Sequence, residues 1–396
     1  MRILIVHNHY GNYAVGGEAM VMQAEAELLR AHGHEVVTYE RTNAELDQRS
    51  LPRRVQAFLR MGWSREGYRC AAEAIDRARP DVMHVHNYKF LLTPSIFGAA
   101  CDRGVATVLT LHNYRMACPA GQFLHNGRAC EDCLDGFAYR MLWRRCRSRN
   151  IGRNLSEFYL YWCTRRRGLL ARWVDAYIAL SEFARQKFVQ AGLPAEKVHV
   201  KPNFLADPLQ NGVECHEGQG AIFAGRLSKE KGAEQLLAAW RDIAYPLTIV
   251  GDGGLRSSLQ AMASAQVEFA GLLPRAATLE AIRRAAFVVF PSICYEGFGM
   301  TVLEAMAMGK PVLASDLGPR REMIQDGAHG LLYDAYDAAD LARKARRLIG
   351  DAHLRRSLGQ NARAAYLSRY TPETNYARLM EIYTHARSRS VPACAG

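Results

Sequence analysis

The 396-residue sequence has no run of about 18 uninterrupted apolar residues, which removes a membrane-spanning helix. The chain enters the strand-like RILIVH at once, so the expectation is no export leader and a cytoplasmic location. The first glycine pair, Gly16 and Gly17, lacks the GxGxxG spacing, which argues against a dinucleotide dehydrogenase. Internal repeats and low-complexity tracts are absent. Acidic residues are in deficit, 39 against 51 basic, and the imbalance is local. Residues 1–200 carry 28 basic and 19 acidic side chains, whereas residues 201–396 carry 23 and 20. Cysteine is plentiful at ten, and without an export signal these residues read as thiols or metal ligands.

Strand-like and helix-like segments alternate along the whole chain, the pattern of parallel sheets with crossover helices. RILIVH, EVVTYE, DVMHVHN, ATVLTLHN, AYIALS and VHVKPN form a first set, with a helix at about Gly17 to His32. A polar, Gly- and Pro-containing stretch follows. AIFAGRL, LTIVGDGG, VEFAGLL, AFVVFPS and PVLASD then form a second set. The reading is α/β: a domain over 1–203 with a Cys- and Arg-rich insertion at about 115–172, a linker over 204–220, and a second domain over 221–371. A helix from about Pro372 and a frayed tail complete 372–396. Loops at the carboxyl ends of such sheets are where open α/β folds bind ligands.

The most informative stretch is Pro291 to Val312, PSICYEGFGMTVLEAMAMGKPV. AFVVF fits a buried parallel strand, Pro291 ends it, and Gly297 and Gly299 permit a tight turn into a helix from about Thr301 to Met308. The N-terminus of that helix suits a diphosphate. Glu304, one turn in, is placed to accept hydrogen bonds from a ribose diol, and Glu296 in the turn to reach sugar hydroxyls. In AGRLSKEKG, Arg226 and Lys231 lie between a strand and a helix, where fixed cations stabilise charge developing on a leaving phosphate.

These motifs resemble retaining glycosyltransferases of family 4, which have the GT-B fold of two Rossmann-like domains facing a cleft, with a C-terminal helix crossing back to the first domain. The resemblance implies that Glu296 contacts the donor sugar, Glu304 the ribose, and Arg226 with Lys231 the diphosphate. It further implies that Gly16 and Gly17 approach donor or acceptor, and that His112, ending ATVLTLH, hydrogen-bonds the donor sugar near the reacting carbon. Gly251, Gly297, Phe298 and Gly299 are counted with the donor site, Gly251 equally open to being a plain turn. His84 and His86 point the same way along their strand and read as packing or acceptor contacts rather than metal ligands.

Two features stand apart. Cys118, Cys130, Cys133 and Cys146, with His125 nearby, form a loose C-x11-C-x2-C-x12-C pattern that fits structural zinc or simply reduced thiols. Arg140 to Arg172 holds ten arginines against the single Glu157, interleaved with Trp143, Phe158, Tyr159, Tyr161 and Trp162. That mixture suits an anionic membrane surface, a solvated helix or nucleic acid.

The expected function is retaining, metal-independent transfer of a sugar from a nucleotide-sugar donor, a UDP-sugar ahead of a GDP-sugar. The expected acceptor is lipid-linked or a surface polysaccharide, at the cytoplasmic membrane face, with no cofactor and no nucleic-acid partner. A sugar-nucleotide epimerase of the same fold, and a non-enzymatic membrane or nucleic-acid binding module, are the alternatives.

Overall fold

The computed structural model describes residues 1–10, 17–47, 60–134, 136, 138–166, 168–209 and 217–389. Gly16, Arg167, part of the expected linker and the tail SVPACAG lie outside them. The chain divides into two compact units: Met1–Gly121, Glu131–Pro202 and Asn375–Gly396 in the first, and Gln122–Cys130 with Asn203–Thr374 in the second.

The first unit is built on a six-stranded sheet of β1 (Arg2–His9), β2 (Glu35–Thr42), β3 (Val82–Asn87), β4 (Ala106–Leu111), β7 (Ala176–Ala179) and β8 (Val198–Val200). Its order is β2-β1-β3-β4-β7-β8, every pairing parallel. Ile3, Leu4, Ile5 and Val6 are all buried, because a parallel sheet covered on both faces leaves neither side of a strand to water. The C-terminal helix Pro372–Arg389 packs its later turns here: the Tyr383 hydroxyl meets His84 Nδ1 at 2.8 Å.

The second unit repeats the architecture with β9 (Ala221–Ala224), β10 (Leu247–Val250), β11 (Val267–Gly271), β12 (Phe287–Phe290), β13 (Val312–Ser315) and β14 (Gly330–Tyr333), ordered β11-β10-β9-β12-β13-β14. Phe223, Leu236, Trp240, Ile249, Phe287 and Leu313 share its core. Trp240 buries fully because its one polar atom, Nε1, donates to the Tyr245 carbonyl at 2.8 Å. All pairings are parallel, and the strand order reverses between β9 and β12, the kind of switch point at whose carboxyl end open α/β sheets bind ligands.

The α/β, two-sheet expectation holds, with two additions. The strand β14 was not anticipated, nor was a short hairpin of β5 (Leu124–His125) and β6 (Arg128–Ala129). The hairpin also divides the insertion expected to belong wholly to the first domain. Gln122–Cys130 joins the second unit, where Ala129 N donates to the Tyr336 hydroxyl at 2.7 Å and Phe123 packs on Tyr295. Cys70, Cys118, Cys130, Cys133, Cys146, Cys163 and Cys294 form no disulfide; Cys101 is disulfide-bonded, an exception to the expectation of thiols or metal ligands.

Candidate active site

In the second unit β12 ends at Phe290, just before Pro291, and the loop beyond is fixed from beneath by one side chain. The fully buried Arg320 guanidinium donates to the carbonyls of Ser292 (2.8 Å), Cys294 (3.2 Å) and Ser315 (2.6 Å). Ser315 Oγ adds a bond to the Ser292 carbonyl at 2.6 Å. A charged group so enclosed is tolerated only because carbonyls satisfy it, and the same bonds hold the loop rigid.

That loop presents Glu296. Lys231 Nζ, from the loop after β9, donates to Glu296 Oε1 at 2.7 Å, and Ser292 Oγ donates to the same oxygen at 2.6 Å. Ile293 N, bonded to the Glu230 carbonyl at 2.9 Å, ties the two loops together. Burial opposes ionisation of Glu296, but the Lys231 charge and hydrogen bond and the Ser292 hydroxyl outweigh it and hold the carboxyl below its usual range. Lys231 is raised in turn, its burial overcome by Glu296.

The helix Met300–Ala307 follows, with Gly299 at its N-cap and no side chain capping it. Its amino end therefore keeps donors for an anion. Glu304 lies one turn in, nine-tenths buried, with Oε1 3.3 Å from Arg275 Nη1. Burial pushes its carboxyl up against the pull of Arg275.

The remaining second-unit residues differ in kind. Gly297 and Gly299 are half-buried, whereas the Phe298 ring is buried edge-on against Tyr370, so its side chain belongs to the core and only its backbone is left for a ligand. Arg226 is exposed. Gly251 has φ 137°, and a Cβ there would lie 1.9 Å from the Gly225 carbonyl oxygen. The fold itself therefore demands that glycine.

The first unit holds Gly17, exposed at the start of the helix Gly17–Ala31, and His112, half-buried just beyond β4. His112 Nε2 is 2.9 Å from His86 Nδ1, and burial lowers the affinity of both rings for a proton. Next to His112, Asn113 Nδ2 donates to Glu18 Oε1 at 3.0 Å. A cavity of about 60 Å³ adjoins them, lined by Tyr10, His86, Lys89, Arg115 and Glu157 among others. Lys89 is paired with Glu157, yet burial, aided by Arg115, brings it down to about 7.

Glu18, Lys89, Arg115, Arg275 and Arg320 are absent from the candidates read in the sequence. Glu18 directly follows the glycine pair, a signal that could have found it. The others have no local pattern. Among the cysteines of the loose zinc pattern, Cys118 and Cys133 are buried and Cys130 and Cys146 half-buried, Cys130 in the second unit and the rest in the first. Among the described residues, the three-ligand group that does converge is Glu25, His84 and His86, within 4.8 Å.

Residues 15–206 match the model of the Glycosyltransferase Family 4 and residues 216–365 that of the Glycosyl transferases group 1. The chain is a GT-B, glycosyltransferase family 4-like protein. Of curated family members, it is 33% identical to an uncharacterized glycosyltransferase of Methanocaldococcus jannaschii over 36% of this chain and 41% of that protein. It is 31% identical to the phosphatidyl-myo-inositol mannosyltransferase of Mycobacterium leprae, over 54% of this chain and 61% of that one. The chain thus spans about half the length of these relatives. The GT-B fold is shared over nearly the full length with Anabaena HepE, solved with UDP and glucose: TM-score 0.66, 20% identity, 97% of this chain and 99% of that one.

Proposed function

We propose that this GT-B protein transfers a sugar from a nucleotide-sugar donor, with retention of configuration. The observation that carries the reading is the Lys231–Glu296 pair at 2.7 Å, beside an uncapped helix end that bears Glu304. On donor binding, Lys231 exchanges the carboxylate for a phosphate oxygen and Glu296 accepts from a sugar hydroxyl, so each charge keeps a partner. Arg226 and the helix N-terminus add positive charge where the leaving diphosphate becomes more negative. Glu304 accepts from the ribose hydroxyls, beside Arg275 in a buried setting that raises its proton affinity.

In the step itself the bond from the anomeric carbon to the phosphate oxygen breaks, and the acceptor oxygen bonds to the same face. The acceptor's proton passes to the departing phosphate oxygen. His112 in the first unit orients the donor sugar. The HepE complex with UDP and glucose supports a UDP-sugar ahead of a GDP-sugar.

An acceptor held at a membrane is supported by an exposed surface on the first unit. Ile151, Leu155 and Trp162 line one face of the helix Ile151–Arg166, and Trp143 is 78% exposed close by in sequence. Arg144, Arg145, Arg147, Arg149 and Arg153 are exposed in the same segment. Apolar side chains among arginines fit an anionic bilayer surface, and the mycobacterial relative bears the name of an enzyme acting on an inositol lipid. No described helix is long and apolar enough to cross a membrane.

The test of the reaction is a panel of UDP- and GDP-sugars incubated with the purified protein and membrane glycolipid extract, with the anomeric configuration of the product read by NMR. An α-linked product from an α-configured donor is expected. Inversion contradicts the mechanism, and interconversion of the free nucleotide sugars points to an epimerase.

A further inference from the structure

Glu25 sits on the face of the helix Gly17–Ala31 that otherwise buries Val21, Met22, Leu28 and Leu29, and it is itself wholly buried. Its counter-charge, Lys201, is equally buried and donates to Glu25 Oε1 and, at 3.2 Å, to Asn375 Oδ1. Such a pair recovers little net stability after desolvation, so its retention calls for another reason. The second oxygen, Oε2, has no close hydrogen bond and lies 3.4 Å from His86 Nε2. The opposite nitrogen of that ring, Nδ1, is 2.9 Å from His112 Nε2.

This row of atoms fixes where the protons are. Burial keeps both imidazoles neutral near pH 7, so one proton occupies the His86–His112 bond. Were it on His86 Nδ1, a bare His86 Nε2 would face a buried carboxylate, lone pair against lone pair. With the His86 proton on Nε2, directed at Glu25, His86 Nδ1 must instead accept from His112. We infer that Glu25 and His86 are positioning residues that hold His112 as its Nε2–H tautomer, leaving Nδ1 bare to accept a hydrogen bond from a substrate hydroxyl. The role assigned to that substrate contact rests on the reading of His112 proposed above; the tautomer does not.

A metal is a poorer use of the same atoms. Glu25 already carries the Lys201 ammonium, and both nitrogens of His84 are taken, by Tyr383 at 2.8 Å and Thr110 at 2.7 Å. The charged and titratable groups facing the two rings are Glu18 and Glu25 from the helix, His7 from β1, His84 from β3 and Lys201 beyond β8.

Long-range proton–nitrogen NMR of the full-length, histidine-labelled protein tests this without any turnover. The expected spectrum shows His112 protonated on Nε2 alone; protonation on Nδ1 overturns the proposal even if glycosyl transfer is confirmed. Two variants add a kinetic readout. His86→Asn keeps an acceptor at the position of Nδ1, whereas His86→Leu keeps bulk and removes it. The leucine variant is expected to lose roughly tenfold or more in kcat with little change in donor KM, the scale of one hydrogen bond, and the asparagine variant to recover most of it. Equal losses in both would make the role packing and overturn the inference. If the leucine variant fails to fold, the wild-type spectrum still decides.

Discussion

Lys231 Nζ and Glu296 Oε1, 65 residues apart in sequence, meet at 2.7 Å across the point where the second sheet reverses its order. The two residues proposed to hold the donor's diphosphate and sugar thus satisfy each other.

Separating them should be costly. Lys231→Met leaves Glu296 without its counter-charge, raising its proton affinity and lowering stability by roughly 1–3 kcal/mol. The double variant Lys231→Met with Glu296→Gln is expected to recover part of that loss. Denaturant unfolding of the four proteins measures the coupling; strictly additive losses would contradict it.

Gly251 separates fold from ligand. Gly251→Ala is expected to destabilise the second unit by at least about 2 kcal/mol, because the left-handed φ and the collision with the Gly225 carbonyl both resist a side chain. A thermal shift within error of the wild type would show that the loop relaxes freely.

The fold was legible where strands are long apolar runs, as in RILIVH and AFVVF, because burial on both sheet faces writes itself as uninterrupted hydrophobicity. GLLY at Gly330–Tyr333 was missed, since four residues carry no period, and the two-residue strands of the hairpin carry less still. Glu296, Lys231 and Glu304 stood out through their spacing around glycines. Their supports did not: Arg275 lies 29 residues before Glu304, and Lys201 176 residues after Glu25, pairings that only the folded chain creates. Glu25 reads in sequence as one more polar residue of an amphipathic helix.

The histidine cluster predicts acid sensitivity. Burial, then His9, holds His7 down at about 4, and burial lowers His84, His86 and His112 as well. With folded values below 6.5, the unfolded chain binds more protons in this window, so stability is fully present above pH 6.5 and falls as the pH drops toward each folded value. The slope should be roughly 1.4 kcal/mol per pH unit for each histidine involved. Unfolding free energies that stay flat between about pH 6.5 and pH 5 would contradict the buried neutral rings.

The arginine-rich segment predicts binding to vesicles containing anionic lipid and none to neutral ones, weakening with salt. Replacing Arg144, Arg145, Arg147, Arg149 and Arg153 by serine should weaken it by about 1 kcal/mol per residue, and Trp143→Ala should weaken it further. Sedimentation with vesicles measures both. Equal binding to neutral vesicles would contradict the electrostatic part.

The most direct measurement is calorimetric titration of UDP into the wild type and Glu304→Gln. The wild type is expected to bind, and the variant to bind at least tenfold more weakly with its melting temperature retained, the loss of a charge-assisted hydrogen bond to the ribose. No binding of UDP or GDP by the wild type, or equal affinity in the variant, would contradict a nucleotide-sugar site built on Glu304.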